Sequence, residues 1–231
     1  MPASFVETKA MELSQKPGAK SYDEWLQQLN AAYGLNDSVI QGYFVWASKA
    51  IRGQFGDSWL YNQPVLQKFA SVIWYSFALG LASFILEIII AIPAGVAAAR
   101  KQYSLTDYSI TVIALIGISL PSFFFATILK WIFAVKLNWL DLYGIVGRMH
   151  QQLSPAGQVL DIAKHMIMPV LTLTIVSIGS LMRYTRTNML EVLNADYIRT
   201  ARAKGLPEKK VINHHAFRNI LIPIILSLIH I

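Results

Sequence analysis

Apolar residues in this chain gather in long blocks rather than in short periods. Val72 to Ala99 carries one charge, Glu87, in 28 residues, and Tyr108 to Val135 carries one charge, Lys130, in another 28. Met166 to Met182 has 17 residues and no charge. A fourth run, Ile220 to Ile231, is apolar apart from Ser227 and His230. A helix needs about 20 residues to cross the roughly 30 Å of hydrocarbon in a bilayer. The first two blocks exceed that length. The third reaches it if Lys164 and His165 lie at the interface, where a long stem extends to water. The fourth is about half a span. The pattern predicts an all-α polytopic membrane protein with spans near 72–99, 108–135, 166–182 and 220–231, the last incomplete.

The chain ahead of the first block is mixed in character. Residues 1–21 are expected to be flexible or weakly helical, with Pro17-Gly18 as a breaker. Ser21 to Ala32 predicts a short helix, because Ser21 and Glu24 have the spacing of a capping box. Tyr33-Gly34 would end it. Leu35 to Ile51 predicts a second helix, with Val39, Tyr43, Trp46, Ala47 and Ala50 at helical spacing. Gly53 and Gly56, within Arg52 to Trp59, point to a tight turn. Trp46, Trp59 and Tyr61 suit either the outer headgroup layer or the packing of a small extracytoplasmic cap.

Inside the blocks the interruptions carry the information. The first ends in Ala91-Ile92-Pro93-Ala94-Gly95-Val96-Ala97-Ala98-Ala99, small residues that let membrane helices approach closely. Pro93 can bend the helix there. Glu87 is either a pathway or gating group or a structural hydrogen-bonding residue, since a carboxylate within a span faces protein or water. The second block contains Gly117-Ile118-Ser119-Leu120-Pro121-Ser122. Broken membrane helices line cavities, so Ser119, Pro121 and Ser122 are translocation-path candidates. A plain kink is the alternative. Between blocks two and three, Lys136, Trp139, Leu140 and Tyr143 suit an interface, and Pro155 is placed to open a helix leading to Lys164 and His165. Pro169 falls one turn into block three.

Charge sets the orientation. The net charge is +7. Residues 1–70 balance six basic against six acidic residues, whereas residues 183–218 hold eight basic and three acidic. Basic loops next to spans stay in the cytoplasm. With 183–218 inside, the link at Arg100 and Lys101 is also inside, and residues 1–70 and 136–165 are outside. The expected organisation is an extracytoplasmic region over 1–70 and a transmembrane domain over 71–231, with a cytoplasmic loop at 183–219.

That loop reads as two helices joined by a turn. Residues 195–204 are helical by spacing, and Gly205 followed by Leu206-Pro207 ends the helix. Glu208 to Phe217 starts the next one. A DNA-reading helix-turn-helix has a similar outline, but a loop held between spans is badly placed for it, and no nucleic-acid partner is expected. The chain has no cysteine, hence no thiol or disulfide chemistry. Its histidines, at 150, 165, 214, 215 and 230, show no chelating spacing. It lacks the GxxxxGK[ST] phosphate loop and any nucleophile elbow. An energy-consuming process would therefore draw on another subunit, and no cofactor is expected on this chain.

The segments DYIRTARAKGL at 196–206 and HAFRNILIP at 215–223 resemble the cytoplasmic loop of binding-protein-dependent ABC importer permeases of the dipeptide/oligopeptide (and nickel) branch. The wider family carries Glu-Ala-Ala, three further residues and a glycine. Here Arg199-Thr200-Ala201 holds the triplet positions, and only Ala201 and Gly205 match. The Arg-Thr-Ala-Arg-Ala-Lys-Gly form is similar to the peptide branch. That family's Ile-x-Leu-Pro is replaced by His215-Ala216-Phe217-Arg218, with a proline later at Pro223. YGL at 33–35, RGQFGDS at 52–58, SLPSFF at 119–124 and MPVLTL at 168–173 also fit, so the resemblance runs from about Tyr33 onward.

The resemblance implies a type I ABC importer transmembrane domain in a bacterial or archaeal cell membrane. It implies a second permease subunit, two ATPase subunits that bind and hydrolyse the ATP, and an extracytoplasmic solute-binding protein that delivers peptide. Asp196, Tyr197, Arg199, Thr200, Ala201, Arg202, Ala203, Lys204 and Gly205 would form the loop that docks on the ATPase. Arg199, Ala201, Arg202 and Gly205 would be its coupling surface, Ala201 staying small and Gly205 turning the chain. Nickel or another small solute is an alternative cargo, and a non-transporting membrane scaffold an alternative role. Family members have a membrane helix before the extracytoplasmic region and further spans after the loop, so the chain is expected to be truncated at both ends.

Overall fold

The computed structural model describes residues 4–33, 38–58, 60–61 and 63–229. Gly34, Leu35, Trp59, His230 and Ile231, which the sequence singles out, lie outside them. The described chain divides into two compact units, Met1–Trp74 and Tyr75–Ile231.

The first unit is built from capped short helices. α1 (Phe5–Ser14) starts where Ser4 and Glu7 satisfy each other's backbone donors, so of the two expectations for this segment, flexible or weakly helical, the helical one holds over these residues. Val6 and Ala10 are its buried residues, and it packs on α2 (Tyr22–Tyr33). α2 has the expected box: Glu24 accepts from the Ser21 backbone at 3.0 Å, and Ser21 Oγ accepts from Glu24 at 3.4 Å. The Ser21 backbone N–H, with its hydroxyl, holds the Glu24 carboxyl below the usual carboxylate range. α3 (Val39–Ile51) begins behind Ser38. Gly53 and Gly56 both take positive φ, +78° and +72°, as the tight turn requires. An antiparallel pair follows, β1 (Asp57–Ser58) and β2 (Gln63–Pro64). Trp46 and Tyr61 are exposed on this unit. The Lys68 ammonium lies 4.2 Å from the Tyr61 ring centroid.

The second unit is helical throughout its regular structure. α4 (Val65–Arg100) enters it from Tyr75 and carries Pro93 without ending. α5 (Leu105–Ser119) is capped by Ser104. It stops because Leu120 precedes a proline and is pushed to an extended conformation, φ −84° and ψ 131°. α6 (Ser122–Leu129) starts directly after Pro121 and runs into a π-helical turn, Lys130–Lys136. The two halves of the second apolar block meet at 103°. The block is thus a broken pair of helices and not a straight rod. α7 (Pro155–Leu193) has Ser154 as N-cap and proline at its first position, then passes through Pro169. α8 (Asp196–Ala203) and α9 (Glu208–Lys210) follow. A π-helical turn, Val211–Ala216, joins α9 to α10 (Phe217–Ile229).

Among the described residues three helical runs are long and apolar enough to cross a membrane: Val65–Arg100, Pro155–Leu193 and Glu208–Ile229. The bent pair adds a fourth crossing if it counts as one. Apart from two short strands, the described residues form an all-α, multi-pass membrane fold.

α7 is the post against which α5, α6 and α10 pack. Glycines set how closely they come. A Cβ on Gly117 would lie 2.7 Å from the Ile175 carbonyl oxygen, and one on Gly179 would run into that of Ala114. On α4, a Cβ on Gly95 would lie 2.7 Å from the Met182 carbonyl oxygen. Backbone thus meets backbone, the dispersion-driven packing that replaces hydrophobic association in lipid. Ala91, Gly95, Ala98 and Ala99 are buried, as their size predicts.

Candidate functional site

The basic loop forms a two-sided element. Along α8, Ile198 and Ala201 are buried and join a core with Met189, Val211, Ile212 and Ala99. Asp196, Tyr197, Arg199, Thr200, Arg202, Ala203, Lys204 and Gly205 are exposed. Ala201 therefore stays small because it packs beneath α8 inside this chain. The outward surface belongs to its neighbours.

The turn after α8 is fixed by backbone chemistry. Gly205 takes φ +73° and donates to the Arg202 carbonyl at 2.9 Å, while Leu206 donates to the Ala201 carbonyl at 3.4 Å. That is the two-bond glycine stop that satisfies the last carbonyls of a helix. No atom lies within 4 Å of the position a Cβ on Gly205 would take, so the glycine serves φ and not space. Arg202 straddles the turn and gives Glu208 two bonds, 3.2 Å and 2.8 Å. These bonds hold the Arg202 guanidinium pKa above its ordinary value. Arg199 pairs with Asp196 one turn earlier.

Behind the loop, α7 is tied to α5 by an ion pair. The Arg186 Nε and Nη2 atoms meet the two Asp107 oxygens at 2.6 Å and 2.8 Å. Asp107 is only 4% exposed and also accepts from the Tyr103 backbone at 3.0 Å. Residue spacing does not reveal this pair, because its members lie 79 positions apart in the chain. The signal available was a lone acidic residue directly after the Arg100-Lys101 link. The Tyr184 hydroxyl adds a bond to the Pro223 carbonyl of α10, 3.2 Å.

The path candidates fall in two places. Glu87 is buried on α4 beside the Ser177 hydroxyl of α7. One turn away, Thr174 reaches the Ser83 carbonyl at 3.4 Å. Ser119, Pro121 and Ser122 are exposed at the bend between α5 and α6. Among the described residues no group of three His, Asp or Glu side chains is arranged to hold a metal ion.

Residues 91–230 match the family described as binding-protein-dependent transport system inner membrane component. The chain is 38% identical over 228 residues to the oligopeptide transport system permease protein AppB of Bacillus subtilis, covering 96% of this chain and 70% of that one. It is 36% identical over 203 residues to the permease protein OppB of Salmonella typhimurium, and 37% identical to that of Escherichia coli K12. In both alignments 87% of this chain covers 62% of the relative. The chain thus spans roughly two thirds of the length of the curated relatives it matches. It carries no ATP-hydrolysing motif of its own. By fold, by the loop and by these similarities, the chain belongs to the ABC importer permeases of the oligopeptide/dipeptide transport family.

Proposed function

We propose that this chain is a membrane-spanning subunit of an ATP-driven importer of dipeptides or oligopeptides. The observation that carries the reading is the two-sided α8: Ile198 and Ala201 root it in the unit, and its other face stays open between two membrane helices. In this reading the loop at 183–219 is cytoplasmic, and separate ATPase subunits grip the face made by Tyr197, Arg199, Thr200, Arg202, Ala203 and Lys204. Gly205 sets the turn that presents it. Hydrolysis in those subunits moves α8, and the unit at 71–231 alternates access for cargo. Residues 1–70 lie outside, where a solute-binding protein delivers peptide, and a second permease subunit completes the pathway. The broken helix at Ser119, Pro121 and Ser122, with Glu87, lines the route. The relatives named for oligopeptide transport support peptide over nickel.

The test is reconstitution of the chain with its partner subunits, followed by site-directed cross-linking from position 199 or 204. A cross-link to an ATPase, together with ATP-dependent uptake of labelled peptide, is the expected result. Uptake without any ATPase contact at α8 would refute the docking role.

A further inference from the structure

At the opposite end of α7, a cavity of about 450 Å³ opens among Lys130, Asp141, Tyr143, His165, Met168 and Leu173. From residue 165 to the end of α7 is about 40 Å at 1.5 Å per residue, so the cavity is remote from the basic loop. Its polar groups are unevenly satisfied. The His165 side chain is 3% exposed, and its Nδ1 lies 2.8 Å from the Asp161 carbonyl oxygen. A carbonyl only accepts, so this geometry assigns the proton to Nδ1. In the neutral ring Nε2 is then a bare acceptor. It is buried and makes no hydrogen bond, and another acceptor, Asp141 Oδ2, lies 3.4 Å away.

With Nε2 unprotonated, two acceptors face each other and call for a shared donor. The surrounding charges do not supply one. Lys164 approaches the same Asp141 oxygen only to 3.6 Å, from a half-exposed position. The Asp161 carboxylate is engaged by the Gly147 N–H at 2.9 Å and by His150 Nδ1 at 2.7 Å, with one oxygen 3.4 Å from His165 Nδ1. Elsewhere on the wall the Lys130 ammonium sits 4.4 Å from the Tyr143 ring centroid. Among the described residues it has no carboxylate in ion-pair contact. The cavity thus offers a paired-acceptor corner and a cation held against an aromatic ring, with Met168 and Leu173 as apolar wall.

We propose that this cavity binds a small zwitterion by its primary ammonium group. The ammonium donates to both Asp141 and His165 Nε2, and Lys130 takes the anionic end. A short peptide with a free N-terminus and an aminophospholipid headgroup share this chemistry. The site stands apart from the docking role of α8, so loss of either leaves the other intact.

The experiment uses the full chain with ¹⁵N-labelled histidine in phosphatidylcholine nanodiscs, which contain no primary amine. L-alanyl-L-leucine is the probe and its N-acetyl derivative the control. The dipeptide should shift the Nε2 resonance, and the acetylated form should bind at least tenfold more weakly. Asp141→Asn should weaken the dipeptide at least tenfold, and Lys130→Gln several-fold. If Asp141→Asn does not fold, the acetylated control and Lys130→Gln still decide. Phosphatidylethanolamine nanodiscs separate the sources: the same shift without peptide, with dipeptide binding suppressed, assigns the occupant to the lipid headgroup. Dipeptide binding undiminished in those discs assigns it to peptide. Equal binding of both peptides, or no shift with either occupant, would overturn the proposal.

Discussion

The seam between α5 and α7 and the outward face of α8 differ in how they are finished. The seam leaves no space and little polar need: Gly117 and Gly179 meet backbone carbonyls, and Asp107 and Arg186 satisfy each other in two bonds. The α8 face carries charges paired only with near neighbours, Arg199 with Asp196 and Arg202 with Glu208. Exposed pairs of that kind contribute little stability, about 0–1 kcal/mol. The difference teaches which contacts must persist and which are available for exchange. α5 and α7 are locked together by these contacts, and α8 is rooted in the core beside them by Ile198 and Ala201.

The contrast breaks most sharply at the ion pair. Arg186→Ala leaves Asp107 buried without its partner, and the expected loss is about 3 kcal/mol. Unfolding of the detergent-solubilised chain by SDS titration measures it. The double variant Asp107→Ala, Arg186→Ala should recover much of the loss, because no uncompensated charge remains. If the double variant is as unstable as the single one, the pair is not what holds the seam. Next in size is Gly179→Ala, which drives a methyl into the Ala114 carbonyl. Overpacking costs typically 1–3 kcal/mol. The same titration should show about 2 kcal/mol, with α5 losing protection in hydrogen exchange before α10.

What the sequence disclosed follows from the range of each interaction. Short-range chemistry was readable: the Ser21–Glu24 box, the break before Pro121, proline at the start of α7 and the glycine stop at Gly205 all depend on residues within a turn of one another. The helix at Phe5–Ser14 was readable in principle, since Ser4 and Glu7 repeat the spacing of Ser21 and Glu24. It was obscured because that segment lacks a continuous apolar face. Long-range chemistry was hidden. Nothing in the spacing pairs Asp107 with Arg186, or places Ser83 beside Thr174. The 103° turn of the second block sets α6 against α7, a direction that hydropathy does not encode. On α8, spacing put Ala201 among the loop's small residues. Only the position of Val211 and Ile212 shows that it faces inward.

Smaller effects belong to the loop. Gly205→Ala forces a side chain into the left-handed region, where the cost is about 1 kcal/mol. The site around it is open, so sterics add nothing, and Gly205→Asn should fall between glycine and alanine. Thermal unfolding ranks the three. A larger penalty for asparagine than for alanine would mean that a neighbour, not φ, selects glycine.

The smallest effect on stability should accompany the largest effect on partner contact. Tyr197 and Arg199 are exposed, and the Arg199 side chain, 73% exposed, pairs with Asp196. Substitutions at such positions usually change stability by less than about 0.5 kcal/mol. Tyr197→Ala combined with Arg199→Glu should therefore unfold like the parent chain and insert normally. If the outward face is where an ATPase subunit grips, the same variant should lose co-purification with that subunit and ATP-dependent peptide uptake together. Ile198→Ala is the matched control on the opposite face. It removes a fully buried side chain and should cost about 2–4 kcal/mol, yet leave the exposed contacts chemically unchanged in the fraction that folds. Loss of partner binding in the inward variant alone would invert the assignment and make the face around Ile198 the docking surface, which its burial against Val211 and Ile212 opposes.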